Sequence, residues 1–138
     1  MPGTLHVKDY MTTTPDTVNE SDSVREALDR MRNDRVRHLP VLRESTVVGI
    51  LSDRDIKWGM SFGMPETLQV SEVMTPDPYV ISPNCSLEEV VFNMIDRRIG
   101  AAVVCTADGE LQGIFTTVDA LRAFLGLLER GEPVHKSA

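Results

Sequence analysis

Two short stretches of this 138-residue chain concentrate side chains suited to holding a small phosphorylated ligand. They are Gly49-Ile50-Leu51-Ser52-Asp53-Arg54-Asp55 and Gly113-Ile114-Phe115-Thr116-Thr117-Val118-Asp119. Each runs from an apolar, strand-like segment into the start of a helix. Free backbone N–H groups and the positive end of a helix dipole meet at such a place, which favours phosphate. The Ser52 or Thr116 hydroxyl adds a donor, and the carboxylate of Asp55 or Asp119, one turn later, is acceptor-only when ionised. Arg54 brings a positive charge to the first stretch, where the second has Val118. The same spacing is also that of a capping box with Asp in place of Glu, which stabilises a helix with no ligand at all. Asp is shorter and closes that reciprocal bond less well. The two roles can coexist.

The elements that would position these corners recur twice. Ser23-Val24-Arg25-Glu26 and Ser86-Leu87-Glu88-Glu89 fit the capping-box pattern that opens a helix. Behind them Val24, Ala27, Leu28 and Met31, and again Leu87, Val90, Val91 and Met94, fall at helical spacing. Each helix is followed by two apolar runs, 38–42 then 47–51 and 101–105 then 111–115, separated by turn-like residues. Asp108-Gly109 is a strong hairpin signal. Pro40 cannot donate to a ladder and belongs at an edge or irregularity. Second helices are expected from about Asp53 to Trp58 and from about Thr117 to Glu129, the latter carrying Leu121, Phe124, Leu125 and Leu128 at helical spacing. The segment Gly59 to Gln69 reads as a connector, and residues from about Arg130 onward as a frayed end.

The recurrence is an internal duplication. Val7-Lys8-Asp9-Tyr10-Met11-Thr12 lies over Val70-Ser71-Glu72-Val73-Met74-Thr75 at an offset of 63 residues. One extra residue later, Gly49, Ile50, Ser52 and Asp55 lie over Gly113, Ile114, Thr116 and Asp119. A long period present only twice indicates a doubled supersecondary unit rather than a solenoid.

Composition narrows the classes of function. The net charge is −7, from 14 basic and 21 acidic residues. A globally acidic chain is poorly suited to nucleic acid, whose binding draws on Lys and Arg against phosphates. No apolar run is long enough to span a membrane. The N-terminal residues lack the apolar stretch of a secretory signal, so a cytoplasmic location is expected. Cys85 and Cys105 are too few for a structural zinc site without nearby His partners. His6, His38 and His135 lie far apart, and Asp53 and Asp55 do not share a helix face, so no catalytic set stands out.

The Met-Thr near the start of each copy, the Gly-Ile-x-(Ser/Thr)-x-x-Asp near its end and the element order between them resemble the CBS (cystathionine-β-synthase-type) domain family. The resemblance extends from Val7 to about Leu125. It implies an α/β module of two strand-helix-strand-strand-helix repeats, residues 7–58 and 70–129 joined by a 59–69 linker, packed about a pseudo-two-fold axis with two clefts between them. It further implies a homodimer and clefts that take AMP, ADP or ATP, less often S-adenosylmethionine. Magnesium would accompany a triphosphate, but no dedicated metal cage is visible. On this resemblance Asp55 and Asp119 hold ribose hydroxyls, and Ser52 and Thr116 hold phosphate with help from Arg54. Backbone groups after each Met-Thr read the base edge: Thr13, Thr14, Pro15 and Asp16 in one copy, Pro76, Asp77, Pro78 and Tyr79 in the other. Thr, Pro and Asp cluster in turns in any case. At the pocket wall, Arg37 and His38 could approach phosphates, while on the same resemblance Pro40 lies against the adenine, as do Ala101 and Ala102, which leave room for a ring. A His before a strand is equally a half-exposed packing residue.

Three classes of function follow. The first is a regulatory sensor of adenine nucleotides that acts on a separate effector protein or through its own dimer. The second is a ligand-free interaction module, and the third is an enzyme, for which the residues offer least.

Overall fold

A computed structural model describes residues 4–130; the tail beyond Arg130, with His135, lies outside the described residues. Each copy begins with a single 3-10 turn, Val7–Asp9 or Val70–Glu72. The strands are β1 (Thr12–Thr13), β2 (Val18–Asn19), β3 (His38–Arg43), β4 (Thr46–Ser52), β5 (Thr75–Pro76), β6 (Val80–Ile81), β7 (Ala101–Cys105) and β8 (Leu111–Thr116). The helices are α1 (Val24–Asp34), α2 (Asp53–Ser61), α3 (Leu87–Arg97) and α4 (Thr117–Glu129). No helix among the described residues is long and apolar enough to cross a membrane.

The caps act as the sequence indicates. Ser23 and Glu26 form a full reciprocal box, and Ser86 Oγ accepts the Glu89 amide proton. The apolar stripe of α1 (Val24, Ala27, Leu28, Met31) is buried, as are Leu87, Val90 and Met94 of α3. The hairpins form as expected, with Gly109 at φ 85° in the second. Pro40 stands one residue short of the contact between β2 and β3 and beside the register shift at Val41/Leu42, where a missing N–H is tolerated. Two expectations need adjusting. Helix α2 runs to Ser61 rather than Trp58, and Met64 folds back over Gly59 in its last turn: a Cβ there would lie 2.6 Å from Met64 Sδ. The stripe of α4 faces outward: Leu121, Phe124, Leu125 and Leu128 are each about half exposed or more, while Asp119 and Ala123 are buried.

The repeat in the sequence is not the packing unit. One sheet has the order β2-β3-β4-β5 and the other β1-β8-β7-β6, so each copy sends its Met-Thr strand into the other copy's sheet. Thr12 and Thr13 pair antiparallel with Ile114 and Gly113; Thr75 and Pro76 pair with Ile50 and Gly49. The cores follow suit. Val7 packs with Leu87, Val90 and Phe115, and Val70 with Val24, Leu51 and Ile56. The backbone is stitched in the same sense, through Val7 N–H to the Cys85 carbonyl and Val70 N–H to the Asp22 carbonyl.

Glycine is required where these strands cross. A Cβ on Gly113 would stand 2.6 Å from the Thr12 carbonyl oxygen and 2.8 Å from Met11 Sδ. On Gly49 it would stand 2.9 Å from the Thr75 carbonyl oxygen and 2.5 Å from Met74 Sδ. The recurring Met-Thr and Gly-Ile are thus two halves of one contact, made twice. Gly113→Ala and Gly49→Ala should each destabilise the fold by about 1–3 kcal/mol through overpacking, measured by urea unfolding. Alanine at exposed Gly63 has no atom to displace but meets a φ of 86°, so its smaller cost is purely one of backbone strain.

Candidate functional site

Both strand-to-helix corners have the predicted local form. Ser52 and Thr116 are the N-caps of α2 and α4, each with its side-chain oxygen accepting the amide proton of the Asp three residues on, at 3.1 Å and 3.3 Å. Beyond that the corners part company.

At the second corner the carboxylate is consumed. Asp119 is 4% exposed. Its Oδ2 accepts from the Thr116 amide (2.9 Å) and hydroxyl (3.1 Å), closing a full capping box. Its Oδ1 accepts from the Thr12 hydroxyl at 3.0 Å and lies 3.5 Å from Arg122 Nη1. The capping reading therefore holds here, extended by a latch from the opposite copy. Sequence reasoning missed Thr12; its only signal was its place in the repeated Met-Thr.

At the first corner Asp55 is half-buried, and no hydrogen bond or ion pair among the described residues engages its carboxylate; its recorded influence is electrostatic, on His38. The neighbouring Arg54 and Arg37 are exposed, and their guanidinium groups have no ion-pair or hydrogen-bond partner among the described residues. Asp53 is held by Lys57 at 3.5 Å.

The other candidates divide between the corners. Thr13 lies opposite Gly113 and Thr14 takes a left-handed conformation (φ 43°) in the crossing beside the second corner, ahead of Pro15. Pro76 lies opposite Gly49 and Asp77 takes the matching conformation (φ 51°) beside the first. His38 is paired with Ser52 across the β3–β4 ladder, and its Nε2 lies 3.7 Å from where a Cβ on Gly100 would stand, so it faces the other repeat. Thr116 is paired in the same way with Ala101. Pro40 and Ala102 are fully buried and Ala101 nearly so, so a base would meet little of their side chains in this conformation.

Two hollows lie elsewhere, on the helical side. One of about 680 Å³ sits between α1 and α2 and includes Arg37 and Asp53 in its wall, but neither Ser52 nor Asp55. The other, of about 260 Å³, sits between α3 and α4 and includes Thr117 but neither Thr116 nor Asp119. Cys85 and Cys105 are both free thiols, and burial pushes Cys105 above the usual thiol range.

Burial holds the His38 imidazole below its ordinary pKa, against the opposing pull of Asp53 and Asp55 and with help from Arg37 and Arg54. The unfolded chain therefore binds a proton at a higher pH than the folded one. Stability is unaffected by this group well above its ordinary pKa of about 6.5 and falls as pH drops through that value. His38→Gln should flatten that part of the stability profile, checked by urea unfolding between pH 5 and pH 8. The carboxylates predict a second contrast. Asp119→Ala should cost about 1–3 kcal/mol, through the lost cap and the orphaned Thr12 and Thr116 donors. Asp55→Ala should stay within about 0.5 kcal/mol, as for a change that removes no contact.

Exchanged strands, two capped corners and duplicated signatures define a pair of CBS domains. The chain belongs to the CBS domain family, whose model matches residues 7–59 and 70–126. It is 31% identical over 116 residues to the YlbB protein of Bacillus subtilis, a match covering 82% of this chain and 78% of YlbB. It is 34% identical over 103 residues to inosine-5'-monophosphate dehydrogenase of Korarchaeum cryptofilum, covering 75% of this chain and 21% of the enzyme. The chain thus corresponds to about a fifth of that enzyme's length. Among solved structures, CBSX2 of Arabidopsis thaliana in complex with AMP is 30% identical, with a TM-score of 0.75 over 89% of this chain and 98% of that one. The CBS domain pair of protein MJ0100, in complex with 5'-methylthioadenosine and S-adenosyl-L-methionine, shares the fold with a TM-score of 0.83 at 24% identity over 90% of this chain and 98% of its own.

Proposed function

We propose that this chain is a regulatory module that binds an adenosine compound, AMP, ADP or ATP, at the Ser52–Asp55 corner. The observation that carries this reading is the contrast between two carboxylates of matching local sequence. Asp119 is fully engaged within the protein, whereas Asp55 is half-buried and unengaged beside two unpaired guanidinium groups. Asp55 accepts from the two ribose hydroxyls; the N-cap amides, Ser52 and Arg54 take the phosphate, with Arg37 and His38 alongside. The backbone of Pro76 and Asp77, held against Gly49, reads the base edge. Family membership and the AMP complex of CBSX2 support the ligand class. S-adenosylmethionine is the alternative adenosine ligand, and magnesium would come with a triphosphate. The action is regulatory rather than catalytic, exerted on a separate effector protein or through a pair of copies in the cytoplasm.

Binding across the exchanged strands shifts the relative position of the two sheets, and it can do so only through a difference in affinity between two arrangements. At the second corner a ligand would first have to displace the Thr12 and Thr116 bonds to Asp119, so one nucleotide per chain is expected.

A second reading, a ligand-free interaction module, has its own support: Pro40 and Ala102 are fully buried and Ala101 nearly so, which leaves a base little side chain to meet. Titration calorimetry with AMP, ADP, ATP and S-adenosylmethionine separates the two. The expected result is one site per chain, weakened at least about tenfold in Asp55→Ala, a loss of about 1.4 kcal/mol, and largely retained in Asp119→Ala. A bound ligand should also raise stability by about 2.7 kcal/mol at a hundred times Kd. Silence from all four compounds would hand the case to the interaction module.

A further inference from the structure

The cations and the imidazole of the first corner have no counterparts in the second copy. Arg37, His38 and Arg54 lie over Gly100, Ala101 and Val118 in the duplication, whereas the N-cap hydroxyl and the carboxylate are present in both. The backbone beneath them is also shared. The Asp53 amide donates to the Arg37 carbonyl just as the Thr117 amide donates to the Gly100 carbonyl. Divergence at the corner thus falls on side chains that carry a charge or can acquire one.

These charges meet at His38. Its own strand entry brings Arg37, α2 brings Asp53, Arg54 and Asp55, and the other repeat brings Gly100 with Thr117 beside it, neither of which is charged. Two carboxylates stand against two guanidinium groups, so their formal charges cancel. Burial then decides the balance and keeps the imidazole neutral, ahead of the pull of Asp53 and Asp55 toward the protonated form and alongside the push of Arg37 and Arg54. A Cβ on Gly100 would stand 3.7 Å from His38 Nε2. The equivalent residue of the first copy is an arginine, and a side chain of that size at position 100 would cover the ring. Glycine puts nothing over it.

A phosphate arriving at this corner upsets the balance. At neutral pH it brings close to two negative charges, and Ser52, which would hold it, is the ladder partner of His38. A nearby anion favours the imidazolium. We propose, on the ligand reading given above, that His38 takes up a proton from solvent when a phosphorylated adenosine compound occupies the first corner, and so makes the choice between phosphorylated and cationic adenosine ligands depend on pH. Uptake of a proton on binding means that affinity rises as pH falls. A ligand with a sulfonium cation in place of phosphate is instead disfavoured by the imidazolium. Acidification therefore selects the nucleotide. Ala101 gives the second corner no such response.

Titration calorimetry with AMP, ADP and ATP at pH 7, repeated in buffers of different ionisation enthalpy, counts the protons taken up. Wild type should take up roughly a third of a proton or more per bound nucleotide, and its affinity should rise about threefold between pH 8 and pH 6.5. His38→Gln should bind with no uptake and a flat pH profile, and so should His38→Ala, which reproduces the second copy's own residue. In the wild-type chain alone, the titration midpoint of the His38 ring resonances should move upward when nucleotide is added. A nucleotide that binds with no proton taken up overturns the proposal and leaves the ligand reading standing. Uptake undiminished in both variants assigns the proton to another group and equally overturns it. Failure of all three nucleotides to bind removes the ligand reading and the proposal together.

Discussion

The close approach of each Met-Thr backbone to the other copy's glycine is the contact from which the rest of the molecule follows. With a Cβ in place of either glycine hydrogen, the Thr12 or Thr75 carbonyl would be within 2.6 or 2.9 Å of it, and the strand could not lie down. Because it does lie down, Val7 and Val70 are carried into the opposite cores, the two copies are joined along an exchanged seam, and Thr12 is brought within 3.0 Å of Asp119 at the second helix-capping corner. Neither half holds a complete core by itself. The arrangement accounts for the spacing of the duplicated signatures better than any ligand does: Met-Thr and Gly-Ile are far apart within a copy but touch between copies.

That seam also explains how two corners of matching local sequence came to different ends. Ser52-x-x-Asp55 and Thr116-x-x-Asp119 fold into the same N-cap. What differs is the company. Thr12 reaches Asp119 and, with the Thr116 hydroxyl and amide, saturates it, whereas among the described residues neither Thr75 nor any other group bonds to the Asp55 carboxylate. Arg37 and Arg54, neither of them paired among the described residues, then stand with an open acceptor at the first corner. Duplication supplied two equivalent positions, and one became structural while the other stayed available.

Much of this architecture was readable before any coordinates, for reasons that can be named. Helix α1 announces itself by Ser23, Glu26 and a stripe at helical spacing, all of them local features. Hairpins declare themselves through short apolar runs around Asp108-Gly109. The exchange of strands was not readable, because β1 and β5 are two residues each, too short to carry a period, and β1 pairs with residues about a hundred positions away. The fate of Asp119 was equally hidden, since it is decided by a threonine at the other end of the chain. Helix α4 shows a third limit. Spacing identified a helix and its apolar side, but not which side faces the protein, because Ala123 and the latched Asp119 take the inner position and the leucines are left outside.

The exchanged seam imposes an order on biosynthesis. The unit built on β2, β3 and β4 can close as soon as Thr75 and Pro76 leave the ribosome. Residues 12 and 13, although made before the sheet they enter, have no strand to pair with until residues 111–116 emerge. Val7 and Met11 must therefore wait, apolar and unpaired, for the second copy to be made, beside a half-molecule that is already compact. Residues made before the first sheet are thus placed after it.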